Sequence, residues 1–351
     1  MSDISKIDKN FQVKTNIEKD GIKFYNAEEK PFKIYGIFKE NGKFRRMPES
    51  VAKTVSEGVY SLHTNTAGGR VRFVTDSNYI AINAKMDSMS KSPHNPLTNS
   101  AGFDLYVGDT FWYTFVPPYD IVDGYESVFG YWANFETREM REITINFPSY
   151  SNVSSLYIGL EENAVLEEAS PYKNEKPVVF YGSSITQGAC PSRAGNNYEN
   201  ILSRKFNLDY INLGFSGNAK GEDEIAHYIK DLDMSIFVYD YDHNAPTVEH
   251  LKNTHERMFK IIREKNPDIP IIMMSRPKYT FSGQDAERLA VITQTYENAL
   301  KAGDKNVYLI DGPTLTALCK DDGTVEGCHP NDFGFASMAM ALSDVFEKIL
   351  K

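Results

Sequence analysis

Val178-Val-Phe-Tyr-Gly-Ser-Ser-Ile-Thr-Gln-Gly188 is the stretch on which the reading of this chain turns. Four apolar residues in a row suit a strand buried on both faces, and the Gly-Ser-Ser that follows is the chemistry of a turn into a helix. Downstream the same rhythm repeats. Apolar strands are expected at Tyr210–Leu213, Ser235–Tyr239, Ile269–Met274 and Val307–Ile310, with helical stretches near 196–206, 222–232, 247–265, 283–302 and 332–350. Strands alternating with helices specify a parallel sheet with crossover helices. From Pro177 onward the expectation is a three-layer α/β/α domain on five parallel strands.

Upstream the rhythm differs. Short β-rich runs, among them Phe32–Phe38, Val71–Val74, Tyr79–Asn83, Gly102–Val107, Thr110–Phe115, Arg141–Phe147 and Ser155–Gly159, are separated by turn residues with no long helical period between them. Several alternate apolar and polar residues, as half-buried antiparallel strands do. An all-β sandwich of jelly-roll kind is expected over 1–166. The polar stretch 167–176, which holds Pro171, reads as a linker, and 177–351 as the second domain. Two domains also suit a chain of 351 residues.

Composition narrows the function. With 41% hydrophobic and 25% charged residues the chain is an ordinary globular protein. A formal charge of -10 with no basic run disfavours nucleic acid. No apolar stretch is long enough for a membrane span, and the polar first ten residues lack a secretory core, so a cytoplasmic location is expected. Three cysteines without a CxxC pair, and histidines without zinc spacing, predict neither a disulfide framework nor a metal site, and no cofactor. A homo-oligomer is compatible with all of this.

In open parallel sheets ligands bind beyond the carboxyl ends of the strands. The segments at those ends hold Ser184, then Gly217, then His243-Asn244, and finally Glu326-Gly-Cys-His329-Pro330. A serine nucleophile needs a base for its proton and fixed N–H donors for the oxyanion. Ser184 at a helix start offers a hydroxyl and its own N–H, Gly217 a second N–H and Asn244 a side-chain amide. His329 is the candidate base, with Glu326 three residues earlier to hold its other ring nitrogen. Each residue has an ordinary alternative, since serines cap helices, His-Pro makes turns and glycines turn loops. Their joint order is what chance does not readily supply. Neither a GxGxxG, a P-loop nor a GxSxG elbow is present. His243, Arg276 and Trp112 are the candidate substrate contacts.

These blocks resemble those of the SGNH (GDSL-like) hydrolase superfamily over roughly 177–350. The resemblance implies a flavodoxin-like sheet, Ser184 as nucleophile in Gly182-Ser-Ser-Ile185, Gly217 and Asn244 as oxyanion donors and His329 as base. Ser183 departs from the usual Asp, and Glu326 from the usual Asp three residues before the histidine. If the longer side chain cannot reach, a backbone carbonyl orients His329 and the site is a Ser-His dyad. Gly102-Phe-Asp-Leu-Tyr106 resembles the GxDLY signature of a β-sandwich that precedes certain SGNH domains, an arrangement similar to carbohydrate esterase family 2. That implies an O-acetylesterase acting on acetylated manno- or xylo-oligosaccharides. The alternatives are an esterase, lipase or thioesterase for another small acyl ester, or a carbohydrate-binding protein with an inert hydrolase half.

Overall fold

A computed structural model describes residues 13–129 and 135–351. The polar first ten residues lie outside them. Strands Ile22–Asn26, Ser151–Glu161, Ala81–Met89 and Gly124–Val128 form, in that order, a four-stranded antiparallel sheet. The facing sheet runs Leu166–Glu167, Arg70–Thr75, Arg141–Asn146, Phe103–Val107, Thr110–Phe115, with Lys33–Tyr35 paired to Arg70–Thr75. Alternate side chains meet between them: Phe73, Ile82, Phe103, Leu105, Ile143, Ile145 and Ile158 are fully buried in one core. The first half is thus an antiparallel β-sandwich.

The second half has five parallel strands in the order Leu208–Gly214, Asn174–Gly182, Ile236–Asp240, Ile271–Met274, Val307–Ile310. The winding reverses at the strand Asn174–Gly182, whose two neighbours, Leu208–Gly214 and Ile236–Asp240, both follow it in the chain but lie on opposite sides of it, and this opens a crevice at its carboxyl end. Helices Asp223–Lys230, Val248–Lys265 and Asp285–Lys301 cover one face around Val179, Phe237 and Ile271. Helices Tyr198–Phe206 and Asp332–Ile349 cover the other, around Phe180, Val238 and Ile272. This is the flavodoxin-like order of a three-layer α/β/α domain. Among the described residues no helix is long and apolar enough to cross a membrane.

Two features differ from the expectation. The first parallel strand begins at Asn174, four residues before the apolar run, because Asn174 pairs with Leu208 ahead of a register shift. The upstream half also contains the short helices Glu49–Val55 and Glu57–Leu62, started after Pro48 and at the Ser56 cap. Their Ala52 and Val59 pack into the core of the parallel sheet, not of the sandwich. Arg46, buried just before them, donates to Gly214 O at 2.5 Å and Leu62 O at 2.7 Å, and stacks 4.6 Å over Phe215. The two halves therefore meet beside the crevice.

The Gly102–Tyr106 signature is one such seam. Phe103 and Leu105 point into the sandwich core, while Asp104 faces the turn Ala194–Asn196 of the parallel-sheet half and accepts from Gly195 N at 3.0 Å. Burial pushes the Asp104 carboxyl up to about 6, partly offset by the Asn146 amide and by Arg193 and Arg204.

Candidate active site

At the end of the strand Asn174–Gly182 the backbone turns at once into the single-turn helix Ser184–Gln187. Gly182 permits this because a Cβ there would occupy the position of Asp240 Oδ1. Ser183 is the cap, its Oγ accepting from Ile185 N at 3.2 Å, so the hydroxyl does at the helix start what a carboxylate would do. Gly188, at φ +90°, ends the turn. Ser184 is 8% exposed, its hydroxyl on the crevice.

Ser184 Oγ lies 2.9 Å from His329 Nε2, across 145 residues of sequence. On the far side of the ring, His329 Nδ1 is 2.5 Å from Glu326 Oε1. The same carboxylate accepts from the His329 backbone N–H at 3.2 Å. The extra methylene of glutamate is taken up by the turn through Gly327, at φ +87°, whose ends are tied by Val325 N to His329 O at 2.9 Å. Burial pushes the Glu326 carboxyl up, but its hydrogen bonds with the His329 ring and backbone and the ring's charge outweigh that and leave it below the ordinary range. An ionised carboxylate on Nδ1 fixes the tautomer in which Nε2 can take a proton from Ser184.

The candidate oxyanion donors come from three segments, the start of the helix Ser184–Gln187 and the loops that hold Gly217 and Asn244. The Ser184 and Gly217 N–H groups bond to no acceptor among the described residues. Gly217 sits at φ +70°, with open space where a Cβ would be. Asn244 donates one amide hydrogen to Phe215 O at 3.0 Å, which leaves the second to point elsewhere. The glycine loop is braced by Gln187, whose Oε1 accepts from Ser216 N at 2.9 Å and whose Nε2 donates to Asn65 Oδ1 at 2.9 Å. That last residue belongs to the upstream half.

The candidate substrate contacts divide. His243 is beside the site, its Nδ1 3.8 Å from Cys328 Sγ, and burial, then the Arg276 charge, hold it well below the usual histidine range and so neutral. Arg276 pairs with Asp285 at 3.3 Å and its charge bears on the Cys328 thiol. Trp112 lies on the outer sandwich strand Thr110–Phe115 and packs on Phe135, ring centroids 5.0 Å apart.

Three residues at the site were not singled out from sequence. Tyr150 donates to Ser184 O at 3.3 Å. Cys190, 3% exposed, sits at φ +78° with its backbone N–H on Asn95 Oδ1 at 3.1 Å. Burial pushes its thiol up to about 12, so it stays protonated and is no rival nucleophile. His94 stacks obliquely on His329, ring centroids 5.5 Å apart. The loop that carries it is pinned to the segment that follows Ser184 by Asn99 Nδ2 to Gly188 O at 2.8 Å and Thr98 Oγ1 to Ser192 O at 2.6 Å. In the sequence, the stretch 88–99 is long enough to reach across to the second half, which is the signal that points towards His94.

Comparison with known proteins agrees with this architecture. Residues 175–351 match the GDSL-like lipase/acylhydrolase family, and residues 22–166 match the GxDLY domain described as the N-terminus of SGNH-hydrolase-type esterases. A crystal structure of a candidate GDSL-like lipase from Bacteroides ovatus is 30% identical over 94% of this chain and 98% of its own, with a TM-score of 0.83. The salicylyl-acyltransferase SsfX3 of a tetracycline biosynthetic pathway is 19% identical over 95% of this chain and 98% of its own, at a TM-score of 0.74. The acetyl xylan esterase Est2A from the rumen bacterium Butyrivibrio proteoclasticus shares the fold at 13% identity, covering 94% of this chain and 98% of its own, at 0.61. No curated protein matches the chain. Matched over half its length by the family and 30% identical to a relative whose chain it covers to 98%, the chain belongs to the GDSL-like lipase/acylhydrolase family.

Proposed function

We propose that this hydrolase is a serine O-acetylesterase that removes acetyl groups from short acetylated manno- or xylo-oligosaccharides in the cytoplasm. The observation that carries the reading is the unbroken chain from Ser184 Oγ through His329 to Glu326, at 2.9 and 2.5 Å. Ser184 Oγ attacks the acetyl carbonyl while its proton passes to His329 Nε2. The oxyanion is held by the N–H groups of Ser184 and Gly217 and by Asn244, each such donor typically worth about 3 kcal/mol of barrier. Collapse expels the sugar oxygen, which takes the proton from His329. Water, deprotonated by the same ring, then attacks the acetyl-enzyme, and acetate leaves with Ser184 restored. The acetyl group and the sugar are suggested by the shared two-part architecture of Est2A and of a family two carbohydrate esterase from Clostridium thermocellum solved with cellohexaose.

A second reading, the same chemistry on another small acyl ester, is favoured by the description of the Bacteroides ovatus relative as a lipase. Acetate release from acetylated manno- and xylo-oligosaccharides, measured for the wild type beside Ser184→Ala, tests both. Release abolished by the substitution is the expected result, and release that persists in the variant removes Ser184 from the mechanism. Release by neither, with p-nitrophenyl ester hydrolysis rising from acetate to octanoate, selects the second reading.

A further inference from the structure

His94 and Cys190 face the serine–histidine pair, yet the acyl chemistry proposed above uses neither. One donor atom from each of His94, Cys190 and His329 lies within 4.8 Å of the other two. His94 Nδ1 is taken by Ser92 Oγ at 2.9 Å and His329 Nδ1 by Glu326 at 2.5 Å, so Nε2 is the atom each ring can turn to an ion, that of His329 at the expense of its 2.9 Å contact with Ser184 Oγ. We infer that His94, Cys190 and His329 form a binding site for one thiophilic divalent cation, zinc above all, which closes the active site by drawing His329 Nε2 away from Ser184.

Two imidazoles and a thiolate are a donor set for zinc, not for the hard oxygen-seeking cations. Zinc with such ligands holds donor atoms roughly 3.3–3.8 Å apart, from bonds of about 2.0–2.3 Å. Donors within 4.8 Å of one another need to close by no more than about 1 Å to reach that spacing, and of the three side chains His94 is the exposed one. The outer partners are already those that ligating histidines carry, an oxygen on each Nδ1. On binding, Zn–S and two Zn–N bonds form, the Cys190 proton passes to solvent, and nothing is oxidised or reduced. A fourth position stays open for water or Ser184 Oγ. Neither donor outside the acyl machinery is near the other in sequence, 94 lying in the sandwich half and 190 just past the nucleophile, so the site exists only where the halves meet. A rival trio, Glu326, Cys328 and His329, also lies within 4.8 Å but would pull Glu326 from the ring it orients.

That the ion inhibits rests on His329 being the base; that it binds does not. Cobalt(II) is the probe, titrated into the reduced full-length protein while the near-ultraviolet thiolate-to-cobalt band is followed. One equivalent is expected to bring up the band in the wild type, in Ser184→Ala and in Cys328→Ser. Cys190→Ser should abolish it, and His94→Ala should raise the half-saturating concentration at least tenfold. Zinc should inhibit ester hydrolysis reversibly with EDTA, and His94→Ala, active without zinc, should need at least tenfold more. No band, a band surviving Cys190→Ser, or one lost in Cys328→Ser overturns the site. A band without inhibition in an active enzyme overturns the closure. A band in a protein that hydrolyses no ester leaves the metal site standing and removes the esterase reading instead.

Discussion

Glu326 is the residue on which the pairing of His329 with Ser184 depends most delicately, because it is partly exposed, with 39% of its side chain in solvent. Its carboxylate does two things at once, holding the His329 ring and the His329 backbone N–H. Glu326→Gln can keep one acceptor oxygen on the ring but loses the charge that stabilises an imidazolium. The expectation is a kcat reduced on the order of 10²-fold with KM little changed, at the low end of what acid–base assistance contributes because water can stand in at an exposed position. Steady-state hydrolysis of p-nitrophenyl acetate reads this directly, and an unchanged kcat would mean that something other than Glu326 orients the ring. Asn244→Ala removes a donor together with the tie to Phe215 O. Its kcat should fall roughly 10²- to 10³-fold. Ser184 and His329 could be read from the sequence because strand ends and loop order place them. His94 and Cys190 could not, since each is an ordinary residue until the sandwich loop is laid against the nucleophile turn.

At the scale of elements, the strand Phe103–Val107 shows why half of a motif is legible and half is not. Alternation alone puts Phe103 and Leu105 into the sandwich core, which is the bland reading of an aromatic β-run. What the other face meets depends on a turn 91 residues away, where Gly195 N donates to Asp104. A Cβ on Gly195 would collide with Asp104 Oδ2 and the Tyr106 hydroxyl. Gly195→Ala should therefore push the two halves apart at this seam, costing about 1–3 kcal/mol, as overpacking of a tight contact does. The measurement is thermal unfolding, where a midpoint lowered by roughly 2–4 °C per kcal/mol is expected. Gly217→Ala, with open space around its Cβ, is the matched comparison and should show only the left-handed backbone penalty of about 1 kcal/mol. Equal losses at the two glycines would mean that the seam is soft. The same limit on local reading explains the short helices Glu49–Val55 and Glu57–Leu62, whose apolar residues have no periodic run long enough to announce them and find their partners only on the other half.

For the whole molecule, the carboxyl groups buried behind Ser184 set the expected response of stability to pH. Asp240, 3% exposed, accepts from the Thr186 hydroxyl and Ser183 N, while its Oδ2 has no partner among the described residues. Desolvation pushes it up to about 8, and burial raises Glu199 beside Tyr198 in the same direction. An aspartate in the unfolded chain ionises near about 3.9. Between those values the folded state holds a proton that the unfolded state has given up, so stability falls as pH rises, until Asp240 ionises near 8. His255 has the opposite sign. Packed against Tyr239 and held down to about 3 by desolvation, it costs stability only as pH falls below the unfolded histidine value of about 6.5. Above pH 6.5 the histidine contribution is therefore level and the carboxyl contribution is not. The unfolding midpoint should decline by several degrees from pH 6.5 to pH 9, and Asp240→Asn, which keeps an oxygen for Thr186 and Ser183 but cannot ionise, should flatten that decline. A decline just as steep in Asp240→Asn would place the titration elsewhere, with Glu199→Gln the next substitution to make. The loss would also reach the active site, because Thr186 and Ser183 belong to the turn that presents Ser184. Ionising Asp240 is therefore expected to disturb the Ser184 turn and the fold together.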